Sequence, residues 1–362
     1  MTTRELNIYM NQSIERLIKN TLKATFANPQ ATAFVLKMQK VIVEAQKKRE
    51  NYETLGIHIP AFLISSITDN CNLFCSGCYA RSNGICGTGK STEENLSVMQ
   101  WKQIFTDAVE MGISFNLLAG GEPLLRKDVI LAAASVKNMI FPVFTNGTLL
   151  QGEYLDIFVN NRNLIPVLSL EGEQNETDKR RGNGVYDKIT QVMKQLHAKK
   201  LFFGTSVTVT TENRQTVTST SFLEMLQKSG CKLVIYVEYV PTEKDTAYLA
   251  LTNKDCEELD QTIDALRKQY ESTIFLSFPG DEKYMGGCLA AGRGFFHISP
   301  GGNAEACPFS PYSDRNLIQV SLIEAIQSPF FEKLRSSELV GGEHTGGCTL
   351  FEKEDDVKKL LL

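Results

Sequence analysis

Ala61-Phe62-Leu63-Ile64-Ser65-Ser66-Ile67 is an apolar run of strand length, and Cys71-Asn72-Leu73-Phe74-Cys75-Ser76-Gly77-Cys78 follows it after three residues. The second stretch is a C-x3-C-x2-C loop, so three thiols stand together just beyond a strand end. Soft thiolates suit an iron–sulfur cluster or zinc, and both closed sites want four protein ligands. No fourth Cys or His continues the spacing. A four-iron cluster with one unprotected iron can bind a substrate or cofactor there, whereas a structural zinc site has little use for an open position.

The same texture repeats downstream. Apolar runs at residues 114–118, 141–145, 166–170, 204–210 and 233–240 are each followed by a helix-like stretch. Six strand-then-helix units in a row predict a parallel sheet. Runs that are apolar throughout, not alternating, predict that both faces are covered, as in a full or partial α/β barrel with its chemistry at the strand C-terminal ends. Upstream, Leu6, Met10, Ile14, Leu17, Ile18 and Leu22 recur every three or four residues and predict a helix over 5–26. A second helix is expected from Pro29, capped by Asn28 and stopped near Gly56. Residues 1–57 thus read as a helical extension, 58–245 as the barrel, and 246–283 as a connecting helix and strand. The Gly-rich tail, 284–362, reads as a small α+β unit with a strand at 295–299 and a hairpin turn at Gly301-Gly302.

The chain has 362 residues with 38 Lys and Arg against 42 Asp and Glu, a formal charge of −4. That length buries a full core without disulfide staples, and the mild acidity gives no electrostatic footprint for nucleic acid. No apolar stretch approaches the ~20 residues of a membrane span, and the N-terminus carries Arg4, Glu5, Glu15 and Arg16 instead of an apolar signal core. A cytoplasmic protein is expected. Nine cysteines, an odd number without a secretory signal, favour metal or redox chemistry over disulfides.

The cysteine loop after the first strand resembles the hallmark of the radical SAM superfamily, whose fold is a partial (βα)6 TIM-like barrel. That resemblance implies a [4Fe–4S] cluster on Cys71, Cys75 and Cys78, and S-adenosylmethionine as its partner cofactor. Gly120, Gly121 and Glu122, after the second strand, are similar to the family's GGE motif, where the strand end binds the methionyl amino group. Thr145 and Asn146 would reach the ribose. Ser169 and Glu171 end the fourth strand, and Arg181, with Arg180 beside it, would hold the methionyl carboxylate, since a guanidinium grips a carboxylate bidentately. Val207 and Thr208, with Asn213 beyond them, and Glu238, Tyr239 and Pro241 fall where the family packs adenine. The family's aromatic residue before the third cysteine is Gly77 here, and Tyr79 is the expected substitute.

Cys288, Gly302 and Cys307 give C-x13-G-x4-C, which resembles the opening of a SPASM or twitch auxiliary-cluster domain, and Cys348 follows. The tail suits one auxiliary iron–sulfur cluster, of the [4Fe–4S] type. Phe351 stands where a closing C-x2-C would put a cysteine, so His344, Glu343 or Glu305 completes the set, or one iron is open to substrate. Cys86, Cys231 and Cys256 have no spacing partner; Cys86 lies on a mobile loop and is a candidate ligand or acid. Residues 84–91 satisfy the G-x4-G-K-S phosphate-loop pattern, but polar residues 79–83 are no strand, so a Gly-rich loop near the site is expected instead.

The resemblance implies an enzyme that cleaves S-adenosylmethionine reductively to a 5'-deoxyadenosyl radical and abstracts hydrogen from a small molecule or peptide, with an oxidative outcome through the auxiliary cluster. A flavodoxin or ferredoxin would donate the electron. The alternatives are a maturase acting on a docked precursor peptide, or a non-catalytic iron–sulfur electron carrier or zinc scaffold. Apart from Cys86, no protein residue is singled out as acid or base.

Overall fold

The computed structural model describes residues 3–26, 28–83, 86, 94–341 and 348–362. Strands form at β1 Phe62–Ser66, β2 Phe115–Ala119, β3 Phe141–Thr145, β4 Leu164–Ser169, β5 Gly204–Val209, β6 Leu233–Glu238 and β7 Ile274–Phe278. Together with β8 His297–Ile298 and β9 Ala304–Glu305 they build one sheet in the order β7-β6-β5-β4-β3-β2-β1-β8-β9. Every pairing from β7 to β8 is parallel, and β9 returns antiparallel on β8. The strand at 274–278 lies beside β6, and the strand of the Gly-rich tail lies beside β1. The sheet is therefore a six-unit α/β core extended at both edges.

Within each strand alternate residues face opposite ways. Leu63, Leu118, Val143, Leu168, Val207 and Val234 are buried beneath the helices. Their neighbours Ile64, Leu117, Phe144, Ser206, Thr208 and Ile235 face a central cavity. Both faces are covered, which is why the runs read as continuously apolar.

The two helices α1 Thr3–Thr25 and α2 Pro29–Thr54 close the end of the barrel where the strands begin. Asn28 caps α2 by accepting from the Ala31 N–H at 3.2 Å, and its amide donates to the Lys200 carbonyl ahead of β5. Arg49, buried on α2, donates to the Gly112 carbonyl ahead of β2 and to Asn11 on α1 at 2.8 Å. Arg162, ahead of β4, reaches Gln30 at 3.2 Å. Met10, Ile14, Ile18, Val35, Met38 and Ile42 are buried at this end, each side chain contributing about 1.5–3 kcal/mol by leaving water. The extension is thus a plug that turns the barrel into a pocket open toward the strand C-terminal ends. No helix of the described residues is long and apolar enough to cross a membrane.

Candidate active site

A cavity of about 560 Å³ occupies the barrel interior. Cys71, Cys75 and Cys78, all half-buried, line it where the strands end. The loop that carries them is fastened to the helix Gln174–Arg181: the Ser76 N–H donates to the Arg180 carbonyl at 2.9 Å, and the Arg180 guanidinium returns to the Ser76 and Gly77 carbonyls. Cys86 is buried against Ala80, Cys71, Cys78 and Tyr79. Its thiol hydrogen-bonds Cys78, which pushes the Cys78 thiol down and the Cys86 thiol up. Among the described residues no three His, Cys, Asp or Glu side chains converge on a single-ion position. A four-iron cluster takes each thiolate on a separate iron and needs no such point. Three soft donors on one cavity wall, with Arg180 and Arg181 beside them, fit an anionic iron–sulfur cluster. The rest of the Gly-rich loop expected at residues 84–91 lies outside the described residues.

Glu122 sits beside this loop, fully buried. Its Oε1 accepts from the Thr145 hydroxyl at 2.7 Å and the Leu124 N–H at 3.0 Å, and its Oε2 accepts from the Asn146 N–H at 2.8 Å. Burial pushes the carboxyl up against the pull of these bonds and of Arg181. Gly121 has no room for a side chain, since a Cβ would collide with the Asn70 carbonyl. Asn146 and Ser169 line the cavity, whereas Thr145 serves it through Glu122. The Asn146 amide donates to Asn72 at 2.8 Å and ties the cysteine loop to the end of β3.

Glu171 faces Arg180 and Arg181 together. Arg180 Nη1 donates to Glu171 Oε1 at 2.6 Å, Arg181 Nε donates to the same oxygen at 2.8 Å, and Arg181 Nη2 also bonds it. The Thr208 N–H holds Oε2 at 3.1 Å. Burial alone would raise the Glu171 carboxyl; the two guanidinium groups outweigh it and hold the carboxyl below its usual value. The Arg181 edge expected to grip a carboxylate is therefore occupied by Glu171. Its remaining Nη1 lies 3.9 Å from Cys75 Sγ and faces the cavity. Asn213 joins the same end, donating to the Glu171 and Thr208 carbonyls at 2.9 Å each.

On the side expected to hold adenine, strand alternation corrects one residue. Val207 is wholly buried and turned into the helix layer, while Ser206 and Thr208 line the cavity. The Gly77 departure also has a physical reason. Gly77 has φ +61°, and a Cβ there would collide with the Tyr239 hydroxyl. The Tyr239 ring, anchored to Thr246 at 2.8 Å, occupies the space beside the third cysteine. Tyr79 packs on Phe309 with ring centroids 5.1 Å apart. Phe309 follows Cys307 closely, so the C-terminal unit supplies part of the wall.

Cys288, Cys307 and Cys348 come from three separate segments and lie together: Cys307 hydrogen-bonds Cys348, and both lie within electrostatic reach of Cys288. Burial pushes the Cys288 and Cys307 thiols up, and metal binding displaces such protons. Of the expected completing groups, Glu305 is already engaged. Its Oε2 pairs with His297 Nδ1 at 2.6 Å, and His297 Nε2 pairs with the Ser66 hydroxyl at 2.7 Å. His344 and Glu343 lie outside the described residues. Glu282, which no spacing pattern marks, is buried with its carboxylate on the Cys288 thiol. Cys231 is buried against Thr205, and Cys256 against Glu238.

Residues 65–223 match the family model described as the Radical SAM superfamily. Fe-coproporphyrin III synthase of Methanosarcina barkeri is 25% identical over 224 residues, 60% of this chain and 54% of that protein. Mycofactocin maturase MftC of Mycobacterium tuberculosis is 26% identical over 270 residues, 70% of this chain and 66% of that one. The chain thus spans about half to two-thirds of these curated relatives. The crystal structure of Streptococcus suis SuiB bound to precursor peptide SuiA superposes with TM-score 0.63 at 16% identity, covering 85% of this chain and 71% of that one, which shows a shared fold. Residues 65–223, with their cysteine loop on the cavity wall, thus match the radical SAM superfamily, which uses a [4Fe–4S] cluster and S-adenosylmethionine.

Proposed function

We propose that the chain cleaves S-adenosylmethionine reductively and uses the resulting radical to abstract hydrogen from a peptide or small molecule held in the barrel. The observation that carries this reading is the meeting of Cys71, Cys75, Cys78, Glu122 and Arg181 on one cavity closed at its far end by α1 and α2. A cluster held by Cys71, Cys75 and Cys78 would supply the one-electron reduction that cleaves S-adenosylmethionine to methionine and a 5'-deoxyadenosyl radical.

The chain's own groups then have distinct tasks. Glu122 Oε2 accepts one backbone N–H and has a lone pair left for the methionyl ammonium. Arg181, fixed by Glu171, presents Nη1 to the methionyl carboxylate. Asn146 and Ser169 offer polar contacts to the ribose, and Tyr79, Phe309 and Tyr239 wall the adenine side. The plug excludes water and oxygen from the far end of the cavity, where a free radical would otherwise be quenched.

Cys288, Cys307 and Cys348 would hold an auxiliary cluster, which would take up the electron left on the substrate and give an oxidative outcome. A peptide substrate is supported by the similarity to a mycofactocin maturase and a PqqA peptide cyclase; a tetrapyrrole-sized molecule is supported by the similarity to Fe-coproporphyrin III synthase. A flavodoxin or ferredoxin serves as donor, and the unpaired cysteines suit a reducing cytoplasm.

Anaerobic incubation of the reconstituted protein with dithionite and S-adenosylmethionine tests the reading. Formation of 5'-deoxyadenosine by the wild type, and none by Cys75→Ala/Cys78→Ala, is expected. Full iron loading without 5'-deoxyadenosine would move the protein to the electron-carrier reading.

A further inference from the structure

The C-terminal cysteines supply three thiolates, and a closed iron–sulfur site uses four protein ligands. Phe351 stands where a closing cysteine would fall, and Glu305 is held by His297, which Ser66 holds in turn. The neighbourhood of the three thiols contains a different oxygen donor.

Glu282 lies on the short 3-10 helix Gly280–Met285 that directly follows β7. Its side chain is turned inward and buried, with 2% of the residue exposed. Oε1 accepts the Leu289 N–H at 3.1 Å, which fixes the carboxylate next to the backbone of Cys288. The Cys288 thiol itself hydrogen-bonds the carboxylate. Cys288 lies within electrostatic reach of Cys348, and Cys348 bonds Cys307, so the four donors form one continuous group drawn from four segments. Glu282, Met285 and Leu289 also line the barrel cavity that Cys71, Cys75 and Cys78 line at its mouth.

We propose that Glu282 is the fourth protein ligand of the auxiliary cluster, completing the set Cys288, Cys307 and Cys348 through a carboxylate oxygen. The proposal rests on the reading that these three cysteines hold a cluster. Taking a carboxylate out of water is costly unless a cation or strong hydrogen bonds replace the lost hydration. A ferric or ferrous iron is such a cation, and carboxylates are ordinary iron ligands. The Leu289 N–H bond to Oε1 fixes the orientation a ligand needs. Because Glu282 also lines the cavity, an iron it held would stand beside the substrate space. A carboxylate is a harder donor than thiolate and yields that iron more readily to an incoming group.

The test uses the full chain carrying Cys75→Ala/Cys78→Ala, which leaves the auxiliary site as the iron site. Iron content and the EPR spectrum of the dithionite-reduced cluster are recorded with and without cyanide, in this parent and with Glu282→Ala, Glu282→Gln or Glu282→Cys added. The parent is expected to hold about four irons and to give a spectrum that cyanide leaves unchanged. Glu282→Ala and Glu282→Gln are expected to change the spectrum and make it shift on adding cyanide. Glu282→Cys is expected to keep the iron, give a third spectrum and again resist cyanide. Glutamine keeps the side-chain volume and an acceptor for the Leu289 N–H, so its result stands even where alanine disturbs folding. Spectra identical to the parent in all three variants would overturn the proposal. A parent that binds no iron would overturn the auxiliary cluster itself, and the proposal with it.

Discussion

The two cysteine groups of this chain are built in opposite ways. Cys71, Cys75 and Cys78 lie on eight consecutive residues, and one loop after one strand presents them to the cavity. Cys288, Cys307 and Cys348 are spread over 61 residues, and three segments must fold before they meet. A local site is written in its spacing, because short loops offer few alternative geometries. An assembled site depends on which segments the topology brings together, and spacing says little about the group that joins from outside the motif. The same contrast separates their neighbours: the first group is backed by Arg180 and Arg181, and the second by the carboxylate of Glu282.

The largest expected effect breaks the two groups apart. Cys75→Ala/Cys78→Ala removes 5'-deoxyadenosine formation and about half of the iron. Cys307→Ala/Cys348→Ala also removes about half of the iron but keeps 5'-deoxyadenosine formation while substrate turnover is lost. Product analysis with iron quantitation reads both. Equal loss of 5'-deoxyadenosine in the two variants would show that the groups are not separate functional sites.

Next comes the charge pair behind the first group. Glu171→Gln leaves two half-buried guanidinium groups without their carboxylate, and a loss of about 3 kcal/mol is expected in denaturant unfolding of the apo chain. The pH dependence follows from the sign of the shift. The folded Glu171 carboxyl lies below its ordinary value of 4.5, so its stabilisation is present above that value and is lost as pH falls through the lower folded one. The stability gap between wild type and Glu171→Gln is therefore largest near neutrality and closes as pH falls below that ordinary value. A gap that widens on acidification would contradict the assignment.

Glu122→Gln is a smaller change in the same region. It keeps an acceptor oxygen but removes the charge that would face an ammonium, and hydrogen bonds to charged groups contribute about 1.5–3 kcal/mol. Affinity for S-adenosylmethionine is expected to fall about tenfold or more, by equilibrium binding to the reconstituted protein. Unchanged affinity would leave Glu122 as a purely structural hub for Thr145, Leu124 and Asn146.

The smallest effect concerns Gly77, the position where this chain departs from the pattern it resembles. Gly77→Ala forces a side chain onto the Tyr239 hydroxyl at a backbone angle that favours glycine, and a loss of about 1 kcal/mol is expected. Tyr239→Phe removes the colliding oxygen and should return part of that loss in thermal unfolding. No recovery in the double variant would show that the backbone conformation alone fixes glycine there.

Much of the barrel was legible because its strands are short apolar runs separated by helices, and β3 falls on the residues its composition predicts. The plug was half legible. Its helices show in the three- and four-residue spacing of Leu6, Met10, Ile14 and Ile18, but nothing local marks Arg49. In the fold that side chain is buried on a carbonyl ahead of β2, a contact 63 residues away. Val207 misled because a continuously apolar strand hides which of its residues face inward, and a shift of one residue reverses the face. Arg180 and Arg181 could not be ranked from adjacency, since both converge on Glu171. Glu282 and the Ser66–His297–Glu305 chain left no local signal at all, because each depends on a partner far along the sequence or outside any motif.

One experiment bears most directly on the claim that this barrel houses radical chemistry beside a second cluster. The wild-type chain is reconstituted anaerobically with iron and sulfide, its iron and zinc are counted, and 5'-deoxyadenosine is quantified after adding dithionite and S-adenosylmethionine. About eight irons per chain, no zinc, and 5'-deoxyadenosine that disappears in Cys75→Ala/Cys78→Ala is the predicted result. Zinc in place of iron, or full iron loading with no cleavage, would contradict it.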